Sequence, residues 1–391
     1  MEDVFIVQSL RTPFGSFCGA LAEFDAPHLA AIVLQSLISQ SGLDPASVDE
    51  VILGEVLSGG TGQAPARQAM RFAGLPDSTH AMTINKVCGS GLKAVMLAAG
   101  SIALGDSHIV LAGGMESMSR APYLLQKARS GYRMGNADLI DLMINDGLRD
   151  PYTGKMMGEI ADAVAEQYEI SRETQDEFAI RSYKRAQEAI RSGTLKGEII
   201  PVKKKVKHGE EIVAEDESPF KADFDKLRKL PTAFGSEGTV TAGNASTIAD
   251  GAAVSLLASE KALKEHGLAP CARLVAYSTH SLAPDHYPEA PVGAIRSVCE
   301  RAGISVENID LFEINEAFSS VPLISMMELD LDPEKVNVNG GAVAFGHPIG
   351  ASGGRLVATL VRELQQKNVR YGLATLCIGG GEAVAAIFER V

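Results

Sequence analysis

The chain has 391 residues, 46% hydrophobic and 22% charged, with 39 glycines and a formal net charge of −13. That length exceeds one ordinary core and implies two or three packed units, while the acidic balance argues against nucleic acid or an anionic membrane as a general partner. The five cysteines (Cys18, Cys88, Cys271, Cys299 and Cys377) are odd in number and contain no Cys-x-x-Cys pair, which argues against a disulfide framework or structural zinc and leaves free thiols.

The opening Met1-Glu2-Asp3-Val4 is acidic and then apolar. It resembles neither a secretory signal nor an Arg-rich transit peptide, and no run is expected to approach the roughly 20 apolar residues that a membrane span needs, so a cytoplasmic protein is expected. The first periodic segment is helical, Leu29 to Ile38. Gly42-Leu43-Asp44 then leads to Val48-Asp49 and the short apolar run Val51-Ile52-Leu53, which reads as a buried strand. Residues 84–91 form a turn before a helix with Leu92, Val95, Met96, Ala99 and Ile102 on one face. A second buried strand follows, Ile109 to Ala112, ending in Gly113-Gly114.

Residues 120–248 change character to charged helices and turns. Ser171 caps a helix with Ala179, Tyr183, Ala186 and Ile190 on one face, stopped by Gly193. The first plan then returns: a helical pattern from Val292 to Cys299, Gly303-Ile304-Ser305, Ile309-Asp310, and the run Leu311 to Ile314. Residues 339–354 form a Gly-rich turn before a helix with Leu356, Leu360 and Leu364, and a buried strand ends in Cys377-Ile378-Gly379-Gly380-Gly381. Matched gaps across three elements imply a duplicated α/β half built of parallel βαβ units, with the middle region laid over the core.

Four polar positions fall at the equivalent ends of these units. Cys88, in Asn85-Lys86-Val87-Cys88-Gly89-Ser90-Gly91, stands at a helix start, where free N–H groups favour a thiolate; a buried structural thiol is the alternative. His347, in Gly346-His347-Pro348, takes the matching place in the second half, where a neutral imidazole would accept the thiol proton; an ordinary loop histidine is the alternative. Cys377 runs into three glycines whose N–H groups would serve an oxyanion, or is a core thiol before a turn. Asn315 follows a strand and, on its residues alone, reads first as a helix N-cap.

Together these segments resemble the thiolase family over nearly the whole chain. Arg11-Thr12-Pro13-Phe14-Gly15, Gln63 to Gln68, Gly113 to Ser119, Thr241 to Ser246 and Asp250 to Ala253 carry the resemblance, and Asn337 to Gly341 with Gly346-His347-Pro348, and Cys377 to Gly381, are its most specific parts. The resemblance implies two duplicated βαβ-type halves in a five-layered α-β-α-β-α core, assigned to residues 1–119 with 249–268 and to residues 269–391, with an inserted loop domain over 120–248. It implies a homodimer or homotetramer, residues 120–146 resembling a tetramer-contact loop.

By position it makes Cys88 the acylated nucleophile, His347 its activator and Cys377 the acid–base for the α-proton. Asn315 then holds a water beside His347, and the N–H groups of Cys88 and Gly379 form the other oxyanion hole. Met156 and Met157 are implied to cover the pantetheine, and Ser246, Tyr287, Lys221 and Arg228 are expected to contact the acyl-CoA as well. A basic group among Lys221, Lys226, Arg228 and Lys229 is expected at the coenzyme A phosphates. The implied reaction is that of an acetyl-CoA C-acetyltransferase: two acetyl-CoA to acetoacetyl-CoA and CoA, reversibly, within fatty acid metabolism. Coenzyme A is a substrate there, and no cofactor or metal is implied.

Two departures bear on chain length. Met156 stands where biosynthetic relatives usually carry His, and Pro284 to Pro291 replaces a Met-Gly-containing turn beside the acyl pocket. The alternatives are a degradative 3-ketoacyl-CoA thiolase of broader chain length and a non-enzymatic lipid-binding module on the same scaffold. Decarboxylating condensing enzymes place a second His where Cys377 stands.

Overall fold

The computed structural model describes residues 2–207 and 209–391. The first half runs β1 (Val4–Arg11), β2 (Gly15–Ser16), α1 (Ala26–Ser41), β3 (Glu50–Gly54), α2 (Pro65–Phe72), β4 (His80–Ile84), α3 (Ser90–Leu104) and β5 (Ile109–Ser117). The middle region holds two short strands, β6 (Tyr123–Leu124) and β7 (Ile140–Asp141), then α4 (Met157–Gln167), α5 (Arg172–Ser192), the hairpin β8 (Val202–Val206) and β9 (Gly209–Val213), and α6 (Phe224–Leu227). The chain returns through β10 (Ala249–Ser259), α7 (Glu260–His266), β11 (Ala272–Ser281), α8 (Ala290–Ala302), β12 (Leu311–Ile314), α9 (Ser320–Leu329), α10 (Ala342–Phe345), α11 (Ser352–Lys367), β13 (Tyr371–Ile378) and β14 (Glu382–Arg390).

Nine strands follow the order β12-β13-β14-β11-β1-β10-β5-β3-β4, and β2 pairs with β10 to complete a ten-stranded sheet. The halves join where Val4–Ile6 pairs antiparallel with Ala272–Leu274. On one side α1 and α2 cover the first half; on the other α8 and α9 cover the second. Between them α3 and α11 share one core with apolar residues from both halves, including Val110, Leu257, Leu376 and Phe388. The result is five layers, helix, sheet, helix, sheet, helix.

The duplication extends to single atoms. Asp49 Oδ2 accepts the N–H groups of His108 and Ile109 at 2.7 and 2.9 Å, and Asp310 Oδ2 accepts those of Arg370 and Tyr371 at 2.9 and 2.8 Å. Helices α1 and α8 both end on a left-handed glycine, Gly42 at φ 69° and Gly303 at φ 66°. Side chains are strained at such φ and glycine is not. The parallel pairs β3–β5 and β12–β13 match the expected βαβ units. Strand β4 has as its counterpart only a single bridge, Phe312 to Val336.

The middle region is tied down by a buried charge cluster. Arg11 Nε meets Glu198 at 2.6 Å, and its Nη1 and Nη2 meet Asp216 at 2.6 and 2.9 Å, all three side chains being essentially inaccessible. Helix α5 matches its expected limits, with Ser171 accepting from Thr174 N–H and Gly193 closing it at φ 78°.

One expectation is corrected. The window Val87–Leu104 reaches the length and mean hydropathy, 1.6, of a membrane span. It contains α3, which is mostly apolar because it is sandwiched in the core shared by both halves rather than because it meets lipid.

Candidate active site

The two helix starts meet at the centre because glycines remove the side chains that would keep them apart. A Cβ at Gly114 would lie 1.9 Å from the Gly350 carbonyl oxygen, and one at Gly353 would lie 2.1 Å from Leu92 N. The turn ahead of α3 therefore sits beside the turn ahead of α11.

Cys88 stands on a tight strand–turn–helix elbow. Asn85 Oδ1 accepts Val87 N–H at 2.9 Å, and Ser90 Oγ accepts Lys86 N–H at 2.8 Å while donating to the Val87 carbonyl at 2.7 Å. Val87 is thereby held at φ 46°, a costly conformation for a β-branched residue. The elbow turns the sulfur toward the Gly379 N–H. Burial pushes the Cys88 thiol up to about 11, while the N–H groups of Gly379 and of Cys88 itself pull the other way. Two N–H groups that favour a sulfur anion also suit an oxyanion next to it.

His347 is buried, and its protonation pattern follows from its neighbour. Ser352 Oγ gives its one hydrogen to the Pro348 carbonyl at 3.0 Å, so toward His347 Nδ1 it accepts. Nδ1 therefore carries the proton and Nε2 the lone pair. Burial, then the Arg355 charge, lower His347 to about 3, so the ring is neutral across ordinary pH.

Asn315 ends β12. Its Nδ2 lies 3.4 Å from His347 Nε2, and its buried Oδ1 has no partner among the described residues. The N-cap reading of Asn315 is corrected: α9 starts five residues later with Ser319 as N-cap, and the Asn315 N–H bonds to Thr375 across the sheet. Cys377, 1% exposed, pairs with Ala383 near the end of β13, before the turn carrying Gly380 and Gly381 at φ 92° and 87°. Burial and the nearby Cys88 push its thiol well above the usual range.

Cys88, His347, Cys377 and Gly379 line a cavity of about 190 Å³ together with Met156, Met157, Ser246 and Tyr287. Tyr287 is pinned there, its hydroxyl donating to the Met157 carbonyl at 2.9 Å. Met156 is the N-cap of α4, its N–H bonded to Glu159 at 2.6 Å. Sequence reasoning missed Met118, Leu148, Phe234, Thr247, Ile248, Phe318 and Ile349, which also line the cavity. Phe318 follows the Asn315 segment directly and was within reach; Phe234 was not, because it enters over Gly158, whose Cβ would sit 1.9 Å from its ring.

A groove of about 640 Å³ shares Ser246, Thr247 and Ile248 with the cavity and is lined by Lys221 and Lys226. Lys221 Nζ pairs with Glu217 at 2.6 Å, and Lys226 Nζ with Asp223 at 3.3 Å. Arg228 and Lys229 are exposed beyond α6 and outside the groove's lining.

Two paired α/β halves with thiol, imidazole, thiol and carboxamide converging at their junction define a class of condensing enzyme. The "Thiolase, N-terminal domain" family model matches residues 4–261 and the "Thiolase, C-terminal domain" model residues 268–390. An "Acetyl-CoA acetyltransferase" of Chromobacterium violaceum is 49% identical over 99% of this chain and 100% of its own. A "Probable acetyl-CoA acyltransferase" of Staphylococcus aureus is 46% identical over 100% of both chains. The crystal structure of the Bacillus anthracis acetyl-CoA acetyltransferase superposes with a TM-score of 0.98 at 44% identity, covering 100% of this chain and 99% of that one. The chain belongs to the thiolase family.

Proposed function

We propose that the protein is an acetyl-CoA C-acetyltransferase working through an acetylated Cys88. The observation that carries this reading is the convergence of Cys88, His347, Cys377 and the Gly379 N–H on one cavity. In the first step His347 Nε2 takes the Cys88 proton as the sulfur attacks the thioester carbonyl of acetyl-CoA. The N–H groups of Cys88 and Gly379 hold the oxyanion, and the CoA sulfur leaves with the proton. In the second step Cys377 passes its proton to His347 and, as the thiolate, takes an α-proton from a second acetyl-CoA. Its enolate oxygen is stabilised by His347 and by a water on Asn315. The carbanion attacks the acetyl group, forming the new carbon–carbon bond and releasing the Cys88 sulfur, which takes the proton back from His347.

The neutral resting states of thiol and imidazole suit this order. A site that keeps both uncharged until a thioester arrives ionises its sulfur only when an oxyanion hole is in use. Met156, Met157, Ser246 and Tyr287 are assigned to the acyl-pantetheine end, and Lys221 with Lys226 to the phosphates. Residues 120–248 serve as the loop domain over coenzyme A, coenzyme A acts as substrate, and the protein works as a cytoplasmic homo-oligomer. A broader 3-ketoacyl-CoA thiolase is the second reading, favoured by the apolar Met156 on the cavity wall.

The test is turnover of the purified protein with acetyl-CoA, and with acetoacetyl-CoA plus CoA, beside a C10 ketoacyl-CoA. Turnover of the two-carbon and four-carbon substrates with little on C10 supports the first reading. Efficient C10 cleavage supports the second, and no turnover of any substrate defeats both.

A further inference from the structure

The cavity wall at Tyr287 is held from outside the cavity. Tyr287 lies in the short 3-10 segment Pro284–Glu289, between β11 and α8, and is buried. Just ahead of this segment the chain is fixed to the glycine turn after Cys377. Leu282 N–H donates to the Gly381 carbonyl at 2.6 Å, and a Cβ at Gly381 would lie 2.4 Å from the Leu282 carbonyl oxygen. Tyr287 then donates to the carbonyl of Met157, the first residue of α4.

The far end of the segment is fixed to the other end of α4. Tyr168, which closes α4, donates its hydroxyl to Glu289 Oε2 at 3.0 Å, and Glu289 Oε1 accepts from His286 Nδ1 at 2.5 Å. A carboxylate only accepts, so Nδ1 carries a proton. Burial, then the Glu289 bond, push the Tyr168 hydroxyl up to about 12, so it stays a donor at ordinary pH. Glu289 stands at the N-cap position of α8, yet among the described residues its side chain caps nothing there. Pro291, near the start of that helix, has no N–H to offer, and both carboxylate oxygens turn to Tyr168 and His286 instead. The segment therefore spans α4 as a strap, bonded at Met157 and at Tyr168.

We propose that Glu289 is a positioning residue for acyl-chain specificity: from outside the cavity it holds the Tyr287 ring against α4 and so fixes the depth open to the acyl group. The Tyr287 bond to Met157 is one neutral hydrogen bond, comparable to what burial of one or two methylenes returns. A longer acyl chain would displace a ring held by that bond alone. Bonds to a carboxylate are stronger, so with Glu289 in place the ring moves only if the whole strap leaves α4. Glu289 and Tyr168 lie outside the cavity's lining, so releasing them deepens the pocket without touching Cys88, His347 or Cys377. The inference deepens the acetyl-transfer reading and rests on it for the substrate class alone.

The experiment compares the full-length wild type with Glu289→Ala and Tyr168→Phe in the CoA-dependent cleavage of C4, C6 and C8 ketoacyl-CoA. In each variant kcat on the C4 substrate is expected within about twofold of wild type. The C6-to-C4 ratio of kcat/KM is expected to rise about fivefold, below the roughly sixteenfold that burying two methylenes allows. A ratio unchanged in both variants overturns the proposal. So does a loss of kcat shared equally by all three substrates, the result expected of a side chain that only supports folding. Tyr168→Phe removes a single oxygen and decides alone if Glu289→Ala does not fold. A second readout needs no turnover. In protein labelled with 3-fluorotyrosine, the Tyr287 fluorine resonance, assigned as the one lost in Tyr287→Phe, is expected to shift or broaden in both variants, and an unmoved resonance overturns the proposal. Failure of the wild type to cleave any of the three substrates contradicts the acetyl-transfer reading instead and leaves the resonance result standing.

Discussion

The turn before α3 and the turn before α11 hold equivalent places in the two halves, yet they are built differently. The first is short, from Ile84 to Ser90, and presents a thiol on a strained left-handed valine. The second is long, contains α10, and encloses its imidazole among Ser352, Asn315 and Arg355. Duplication supplies two matched positions at the sheet junction. The buried polar frame around only one of them brings an imidazole, not a second thiol, to the cavity that Cys88 lines.

If that division is right, removing either member disables the first step. His347→Ala is expected to lower acetoacetyl-CoA cleavage by about 10⁴-fold, read as kcat in a thiolysis assay. Retention of more than a tenth of the activity would break the comparison, because the second turn would then not supply the base.

Cys377→Ala separates the steps. Acetylation of Cys88 is expected to proceed within a fewfold of the wild-type rate, while condensation falls by about 10³-fold, since only the second step breaks a C–H bond. Single-turnover CoA release against acetoacetyl-CoA formation reads the two. Condensation at near wild-type rate would make Cys377 structural.

The buried imidazole also predicts a pH dependence of stability. His347 titrates at about 3 in the folded protein against an ordinary 6.5. A depressed value means the unfolded chain gains the proton first. The contribution is present in full above about pH 6.5 and is lost as pH falls toward 3. The thermal stability of the wild type should therefore decline relative to His347→Asn across that window. A difference that stays constant from pH 7 to pH 4 would show that the ring is not held neutral.

The smallest expected effect concerns chain length. Tyr287 is a rigid wall pinned to Met157, whereas Met156 is flexible and apolar. Tyr287→Ala should extend the range of ketoacyl substrates, with about a fourfold gain in kcat/KM per added CH₂, and Met156→His should narrow it. Unchanged profiles in both would place the acyl limit elsewhere on the cavity wall.

Much of this was legible in the sequence because it is local. The Ser171 cap, the Gly193 stop, the paired Gly42 and Gly303 stops and the Cys88 helix start are each set by a few neighbouring residues. Strands β1, β10, β11 and β14, which join the halves, left no comparable trace. All eleven residues of β10 are buried, so it shows no alternation, and its opening Asp250-Gly251-Ala252-Ala253 reads as a turn. Asn315 was misread because an Asn shortly before a helix fits a cap as well as a site, and only the register of β12 against β13 decides between them. The Tyr287–Met157 and Glu116–Gly350 bonds join residues 130 and 234 positions apart, a separation that local pattern does not encode.

The most direct test of the divided site is to incubate the protein with acetyl-CoA alone and map the acetyl group by peptide mass spectrometry. The account predicts an acetyl adduct on the peptide containing Cys88, with CoA released, and the same adduct in Cys377→Ala. Acetylation confined to the peptide containing Cys377 would contradict it and exchange the roles of the two thiols.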